Sequence, residues 1–262
     1  MEVIIRDDAG QAAQLVARLI AREIRVKPDL VLGLATGRTM EQVYSRLATL
    51  HRETGLSFAR VRTFNLDEYI GLPVDHPSSY RRYMNEHLFS KVDIRLENTH
   101  LPNGMAADLN AECAAYERRM REWGGIDLQL LGIGSDGHIG FNEPLSALQS
   151  RTREKALTPS TLRQNAAMFG GDLAKVPRRA ITMGVGTILE SRRCVMLVTG
   201  ESKSGIVAQA VEGPITAMVS ASALQLHPHC TVIVDEAAAD GLKGKDYYRW
   251  IFANEPEWAE FR

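Results

Sequence analysis

Short apolar runs alternate along this chain with longer stretches in which apolar residues recur every three or four positions. The runs fall at residues 3–5, 30–34, 61–66, 126–131, 180–185, 194–199 and 230–234 and read as strands. Helical periodicity falls at 12–24, 40–50, 80–89, 109–123 and 204–211. This alternation predicts βαβ units, hence an α/β fold: a Rossmann-like, open, mostly parallel sheet with helices on both faces. No repeat, low-complexity tract or Pro/Ser-rich linker breaks the pattern, so residues 1–262 read as a single domain. Residues 145–175 are the least regular part, polar and rich in Ser, Thr, Gln and Gly, and read either as a lid over a site or as an ordinary surface excursion.

Ligands of open α/β sheets bind outside the carboxyl ends of the strands, so the residues after each run are the place to seek chemistry. The run at 126–131 leads into Gly134-Ser135-Asp136-Gly137-His138-Ile139-Gly140-Phe141-Asn142-Glu143-Pro144. Two carboxylates and an imidazole within eight residues, on a segment too rich in glycine to be helical, can pass protons near neutral pH. Residues 132–137 also match the GxGxxG spacing, but that fingerprint must open a helix. Residues 138–144 carry no helical period and stop at Pro144. A dinucleotide is therefore not expected.

The run at 30–34 leads into Thr36-Gly37-Arg38-Thr39 and then a helix, a turn whose backbone amides suit a phosphate and whose arginine adds a charged donor. It lacks the Walker spacing. The run at 61–66 leads into Asp67-Glu68, and the run at 194–199 leads into Lys203 at the start of another helix. His227-Pro228-His229-Cys230 has no matching ligand pair elsewhere, so no metal is expected. Each of these signals alone could be an ordinary polar turn; four of them at one sheet edge carry more.

Charge narrows the field. Thirty-one Lys and Arg against 32 Asp and Glu give a net charge of −1, with no footprint for nucleic acid or an anionic membrane. Three scattered cysteines point to a reducing compartment. The start of the chain lacks the basic and apolar regions of a signal peptide, and no apolar run reaches membrane-spanning length. A cytoplasmic protein is expected, with neither nucleic acid nor membrane as partner.

Taken together, Thr36-Gly37-x-Thr39, Phe64-Asn65-Leu66-Asp67-Glu68-Tyr69, His76-Pro77-Ser78-Ser79-Tyr80, the 136–144 element, Gly184-Val185-Gly186-Thr187 and Leu224-Gln225-Leu226-His227-Pro228 closely resemble the glucosamine-6-phosphate deaminase family nearly end to end. The resemblance implies conversion of glucosamine 6-phosphate and water into fructose 6-phosphate and ammonia, a deamination of hydrolase class coupled to aldose–ketose isomerisation. It implies that His138 opens the sugar ring, with Asp136 and Glu143 tuning it, and that an ionised Asp67 moves a proton from C2 to C1. The substrate's own nitrogen takes up the electrons, so neither cofactor nor metal is implied. Thr36, Gly37, Arg38, Thr39 and Lys203 would hold the 6-phosphate.

Two departures from the family pattern bear on this reading. Members usually carry an Asn-Ser-Arg stretch in the lid whose arginine clamps the phosphate, where this chain has Asn165-Ala166-Ala167. Arg38, at a position where many relatives have a small residue, is expected to take over the clamp, with Arg163 as the second candidate; otherwise the accepted substrate changes, for instance to galactosamine 6-phosphate. Ser146, Arg153 and Lys155 match residues that bind the activator N-acetylglucosamine 6-phosphate between subunits of hexameric members, but Arg249 stands where a tyrosine is expected. A homo-oligomer, hexameric if allosteric, is the corresponding expectation. The rival readings are a 6-phosphogluconolactonase, which would not need Asp67, and a sugar-phosphate sensor, which would need a DNA-binding segment that is not seen.

Overall fold

The computed structural model describes residues 1–262. In chain order the elements are β1 (Glu2–Arg6), α1 (Ala9–Val26), β2 (Val31–Leu34), α2 (Arg38–Thr54), β3 (Arg62–Asn65), β4 (Asp67–Tyr69), α3 (Tyr80–His87), β5 (Thr99–His100), α4 (Leu109–Glu122) and β6 (Leu128–Leu131). Then come β7 (Arg153–Ala156), α5 (Pro159–Asn165), β8 (Arg179–Thr182), α6 (Val185–Leu189), β9 (Arg193–Val198), α7 (Ser204–Val211), β10 (Cys230–Asp235) and α8 (Lys245–Asn254). Local chemistry starts the helices where the sequence allows. Asp8 caps α1 through the Gln11 amide at 2.8 Å, and Asp108 caps α4 through Ala111 at 2.9 Å.

Seven strands form one sheet in the order β1-β10-β9-β6-β2-β3-β5, with every neighbouring pair parallel. β2, β6 and β10 are buried along their whole length because helices cover both faces, which is why they read as near-continuous apolar runs. From β2 the chain builds outward through β3 and β5; from β6 it builds the other way through β9 and β10. The order thus reverses between β2 and β6, and their carboxyl ends open the crevice where such sheets bind ligands.

The expectation of a mostly parallel α/β sheet holds, but two segments belong elsewhere. Residues 180–185, expected as a strand of that sheet, split into β8 and the start of α6, and β8 lies in a separate antiparallel sheet of order β4-β8-β7. Asp67-Glu68, expected in a loop, form β4 in that second sheet. The cause is visible at Leu66. Its N–H bonds to Leu34 of the parallel sheet at 3.0 Å, while its carbonyl accepts from Met183 at 2.7 Å, so one extended run passes from one sheet into the other.

The lid expected at 145–175 contains β7, α5 and two short 3-10 turns. It has a small core of its own, in which Leu157, Leu162 and Phe169 pack with Tyr69, Tyr80 and Phe141. The Thr158-Pro159 start of α5 is an ordinary helix signal, with a capping threonine before proline at the first helical position.

Candidate active site

A cleft of about 670 Å³ opens at the carboxyl ends of β2, β6 and β9, where the loops after these strands meet β4 and the lid. Thr36, Gly37, Arg38, Thr39, Asp67, His138 and Lys203 all line it. Residues far apart in sequence are thus gathered on one surface. Asp136 and Glu143 are not in its wall; they stand behind the imidazole.

His138 is 7% exposed, and its Nδ1 lies 2.6 Å from Asp136 Oδ1 and 3.6 Å from Glu143 Oε2. The His138 backbone N–H also donates to Asp136 Oδ1, at 3.3 Å. Burial pushes the Asp136 carboxyl up, but the hydrogen bonds from His138 outweigh it and hold the group below the ordinary carboxylate range. The loop owes its shape to two glycines. A side chain at Gly134 would strike the His138 ring, at 2.2 Å from a built Cβ. Gly140 has φ +57° and passes so close to β8 that a Cβ would meet Thr182 Oγ1 at 2.9 Å and Asp67 Oδ2 at 3.4 Å. The imidazole loop is thereby brought up against Asp67.

Asp67 is 6% exposed. Burial, with the neighbouring Glu68 carboxylate as the second cause, raises its carboxyl to about 8, and no hydrogen-bond donor or cation of the protein offsets them. Burial and Glu68 thus both oppose the ionised Asp67 that the resemblance implies, and only a cation brought in from outside the protein would favour it. Glu68 is itself pushed up by burial, which three backbone N–H groups (Tyr69, Tyr80 and Arg81, at 2.9–3.0 Å) partly offset. It caps α3 and fixes β4 against that helix.

Also on the cleft, α2 starts from Gly37 at φ +117° with no side chain capping it, which leaves its first N–H groups open to a ligand. Tyr83 Oη donates to the Gly37 carbonyl at 2.8 Å, and Tyr44 Oη donates to that of Ala35. Lys203 Nζ donates to the Ile133 carbonyl at 2.9 Å; burial pushes its ammonium down, with the Asp136 carboxylate acting the other way. Arg38 is exposed at the cleft, and Ala167 lines the lid side. Arg163 is exposed and not in the wall.

Ser146, Arg153 and Lys155 are not in the cleft. Arg153 Nη2 donates to Ser146 Oγ at 3.1 Å and Nη1 to Asn142 Oδ1 at 2.9 Å, while burial pushes the guanidinium down. Lys155 lies two residues further along β7 and bonds to neither. The His227 ring is spent on the Ser191 carbonyl at 2.7 Å, which accounts for it without a metal. The donor atoms of Asp136, His138 and Glu143 do lie within 4.8 Å of one another. The 2.6 Å ring–carboxylate separation is that of a direct hydrogen bond.

Gln164, Met168 and Tyr83 line the wall and escaped the sequence reading, whereas Asn165 and Tyr80, which also line it, fall in stretches that carried the family resemblance. The Thr-Pro signal for α5 could have directed attention to Gln164; Tyr83 read simply as the apolar face of a helix.

The family described as glucosamine-6-phosphate isomerases/6-phosphogluconolactonase matches residues 6–233. A glucosamine-6-phosphate deaminase of Streptomyces coelicolor is 51% identical over 258 residues, covering 98% of this chain and 99% of that protein. One from Cellvibrio japonicus is 51% identical over 251 residues, covering 96% and 95%. Among solved structures, a glucosamine-6-phosphate deaminase described as monomeric superposes with a TM-score of 0.90 at 44% identity, covering 92% of this chain and all of that one. A 6-phosphogluconolactonase from Trypanosoma brucei shares the fold at TM-score 0.72 with 21% identity, covering 92% and 98%.

Proposed function

The chain belongs to the family of glucosamine-6-phosphate isomerases and 6-phosphogluconolactonases, and within it we propose that this protein is the deaminase, converting glucosamine 6-phosphate and water into fructose 6-phosphate and ammonia. Half of its residues are identical to those of proteins so named over nearly the whole length. The observation that carries the reading is the presence of two separate proton-handling groups, Asp67 and His138, on one cleft with an uncapped helix start and a lysine. A lactonase needs one base for water; a deaminase needs a second group for a carbon-bound proton.

The chemistry is set by the order of groups. His138 carries a proton from O1 to O5, breaking the C1–O5 bond and giving the open-chain aldehyde. Asp67 takes the C2 proton; the C–H pair forms C1=C2 while the C1=O π pair takes up a proton on O1, and the amine gives up a proton, leaving a neutral enolamine. The nitrogen lone pair then forms C2=N as the C1=C2 pair takes the proton back from Asp67 at C1, and the resulting C2 iminium adds water and releases ammonia. A protonated amine on C2 is the cation that Asp67 lacks in the free protein, so the substrate itself favours the carboxylate that must act on it. Thr36, Gly37, Thr39, Arg38 and Lys203 receive the phosphate, with Arg38 serving in place of an arginine at Ala167. No metal or cofactor enters this route.

Activation by N-acetylglucosamine 6-phosphate and assembly into a hexamer are finer parts of the reading. A half-buried Arg153 without a carboxylate partner supports an anion site beside Ser146 and Lys155. Against it stands the description of the structural relative as monomeric, and we favour a single-subunit enzyme without activation. No helix is long and apolar enough to cross a membrane, and three free, buried cysteines suit a reducing cytoplasm.

The test is to incubate the purified protein with glucosamine 6-phosphate, without metals or nucleotides, and to measure ammonium and fructose 6-phosphate together. Equal release is expected. Release of neither would overturn the reading, and parallel incubations with galactosamine 6-phosphate and 6-phosphogluconolactone would then identify which alternative holds.

A further inference from the structure

Helix α5 of the lid is bonded at both ends to the loop that carries His138. At its start, the cap residue Thr158 gives its backbone N–H to Glu143 Oε1 at 3.1 Å and its hydroxyl to Glu143 Oε2 at 3.2 Å. The same Oε2 faces His138 Nδ1 at 3.6 Å. Near its end, Gln164 Oε1 accepts from the Ser135 N–H at 3.3 Å, and Asn165 Nδ2 donates to Tyr69 Oη at 2.8 Å. The lid is thus tied to the catalytic loop on either side of His138.

Glu143 is 1% exposed, and a carboxylate so deep depends on the donors around it. Two of these come from one residue, Thr158. Its hydroxyl has a single proton and accepts the Thr161 N–H at 3.3 Å; that proton faces both Glu143 Oε2 and Thr161 Oγ1, each at 3.2 Å, and the Thr161 hydroxyl can rotate to donate instead, which leaves the proton for Glu143. We propose that Thr158 is a positioning residue: acting through Glu143, it sets the orientation and charge environment of His138, and so makes the imidazole's competence depend on a seated lid. Nothing in the residues around the loop duplicates this pair of bonds, because the other acid on the ring, Asp136, is held by His138 itself.

The kinetic arm of the test rests on the deaminase reading given above; the spectroscopic arm does not. Thr158→Val keeps the backbone donor and the side-chain size but removes the hydroxyl, Thr158→Ser restores it, and Thr158→Ala repeats the deletion if valine is not accommodated. Expected for Thr158→Val is a loss of about ten-fold in kcat with KM within about two-fold, recovery in Thr158→Ser, and no further loss when the change is made in Glu143→Gln. A rise in KM with kcat unchanged would mean that Thr158 only packs the lid, whose residues line the cleft, and would overturn the proposal. So would an equal loss in the Glu143→Gln background, or a serine variant as impaired as valine. His138 ring nitrogen signals, followed by NMR, should move in Thr158→Val and return in Thr158→Ser. Wild-type protein that released no ammonium would sink the deaminase reading alone, and unmoved ring signals would sink the Thr158 proposal alone.

Discussion

Asp67 and Glu68 are adjacent in β4 and both buried, yet they serve opposite sides of the strand. Asp67 lines the cleft, whereas Glu68 turns away to accept the N–H groups of Tyr69, Tyr80 and Arg81. The strand alternation therefore separates a carboxyl on the cleft from one committed to the fold, and the committed one adds to the cost of charging its neighbour.

Removal of the Asp67 carboxyl should separate activity from stability. Asp67→Asn is expected to lower kcat by about 10²–10⁴-fold, the usual worth of a positioned base. With its folded-state value raised from 3.8 to about 8, Asp67 favours folding fully below pH 4 and loses that contribution progressively as pH rises to about 8. Asn does not titrate. The variant should therefore match wild type in denaturant unfolding at pH 4 and exceed it at pH 8.

The pH profile should show the substrate acting as counter-ion. The acid limb of kcat/KM reports the free enzyme and should fall near 8, where Asp67 ionises. The limb of kcat reports the complex, in which the C2 ammonium favours the carboxylate, and should lie at lower pH. Coincident limbs in steady-state ammonium release would remove the proposed role of the substrate's charge.

Arg38 should act in binding. Arg38→Ala is expected to raise KM for glucosamine 6-phosphate by about ten-fold or more and to leave kcat within about two-fold, as expected for a charged donor to a non-reacting phosphate. An unmoved KM would release Arg38 from the clamp and leave Lys203 and the α2 amides as the whole phosphate site.

Saturation with glucosamine 6-phosphate should be hyperbolic, and N-acetylglucosamine 6-phosphate should not reshape it. Sedimentation should give a single-subunit species. A sigmoidal curve straightened by the effector, and lost in Arg153→Ala, would instead assign the Ser146–Arg153–Lys155 cluster to allostery. Incubation with EDTA should leave the rate unchanged, since Asp136 and His138 are joined by a direct hydrogen bond.

Much of this protein was legible in its sequence because the causes are local. Short apolar-rich runs at 30–34, 126–131 and 230–234 alternate with longer amphipathic helices, the pattern of strands covered on both faces in a mostly parallel sheet. Asp136, His138 and Glu143 lie on one short loop, so their meeting needed no knowledge of the fold. Three things were decided by tertiary structure. Asp67 is a strand residue because Leu66 bridges two sheets, and the resulting burial pushes its carboxyl up. Thr158 reaches Glu143 because the lid carries its own small core and folds back over the loop, a contact across 15 residues that no periodicity announces. The Thr36–Thr39 turn, Lys203 and Asp67 share one cleft because the strand order reverses between β2 and β6, and strand order is set by packing of whole elements.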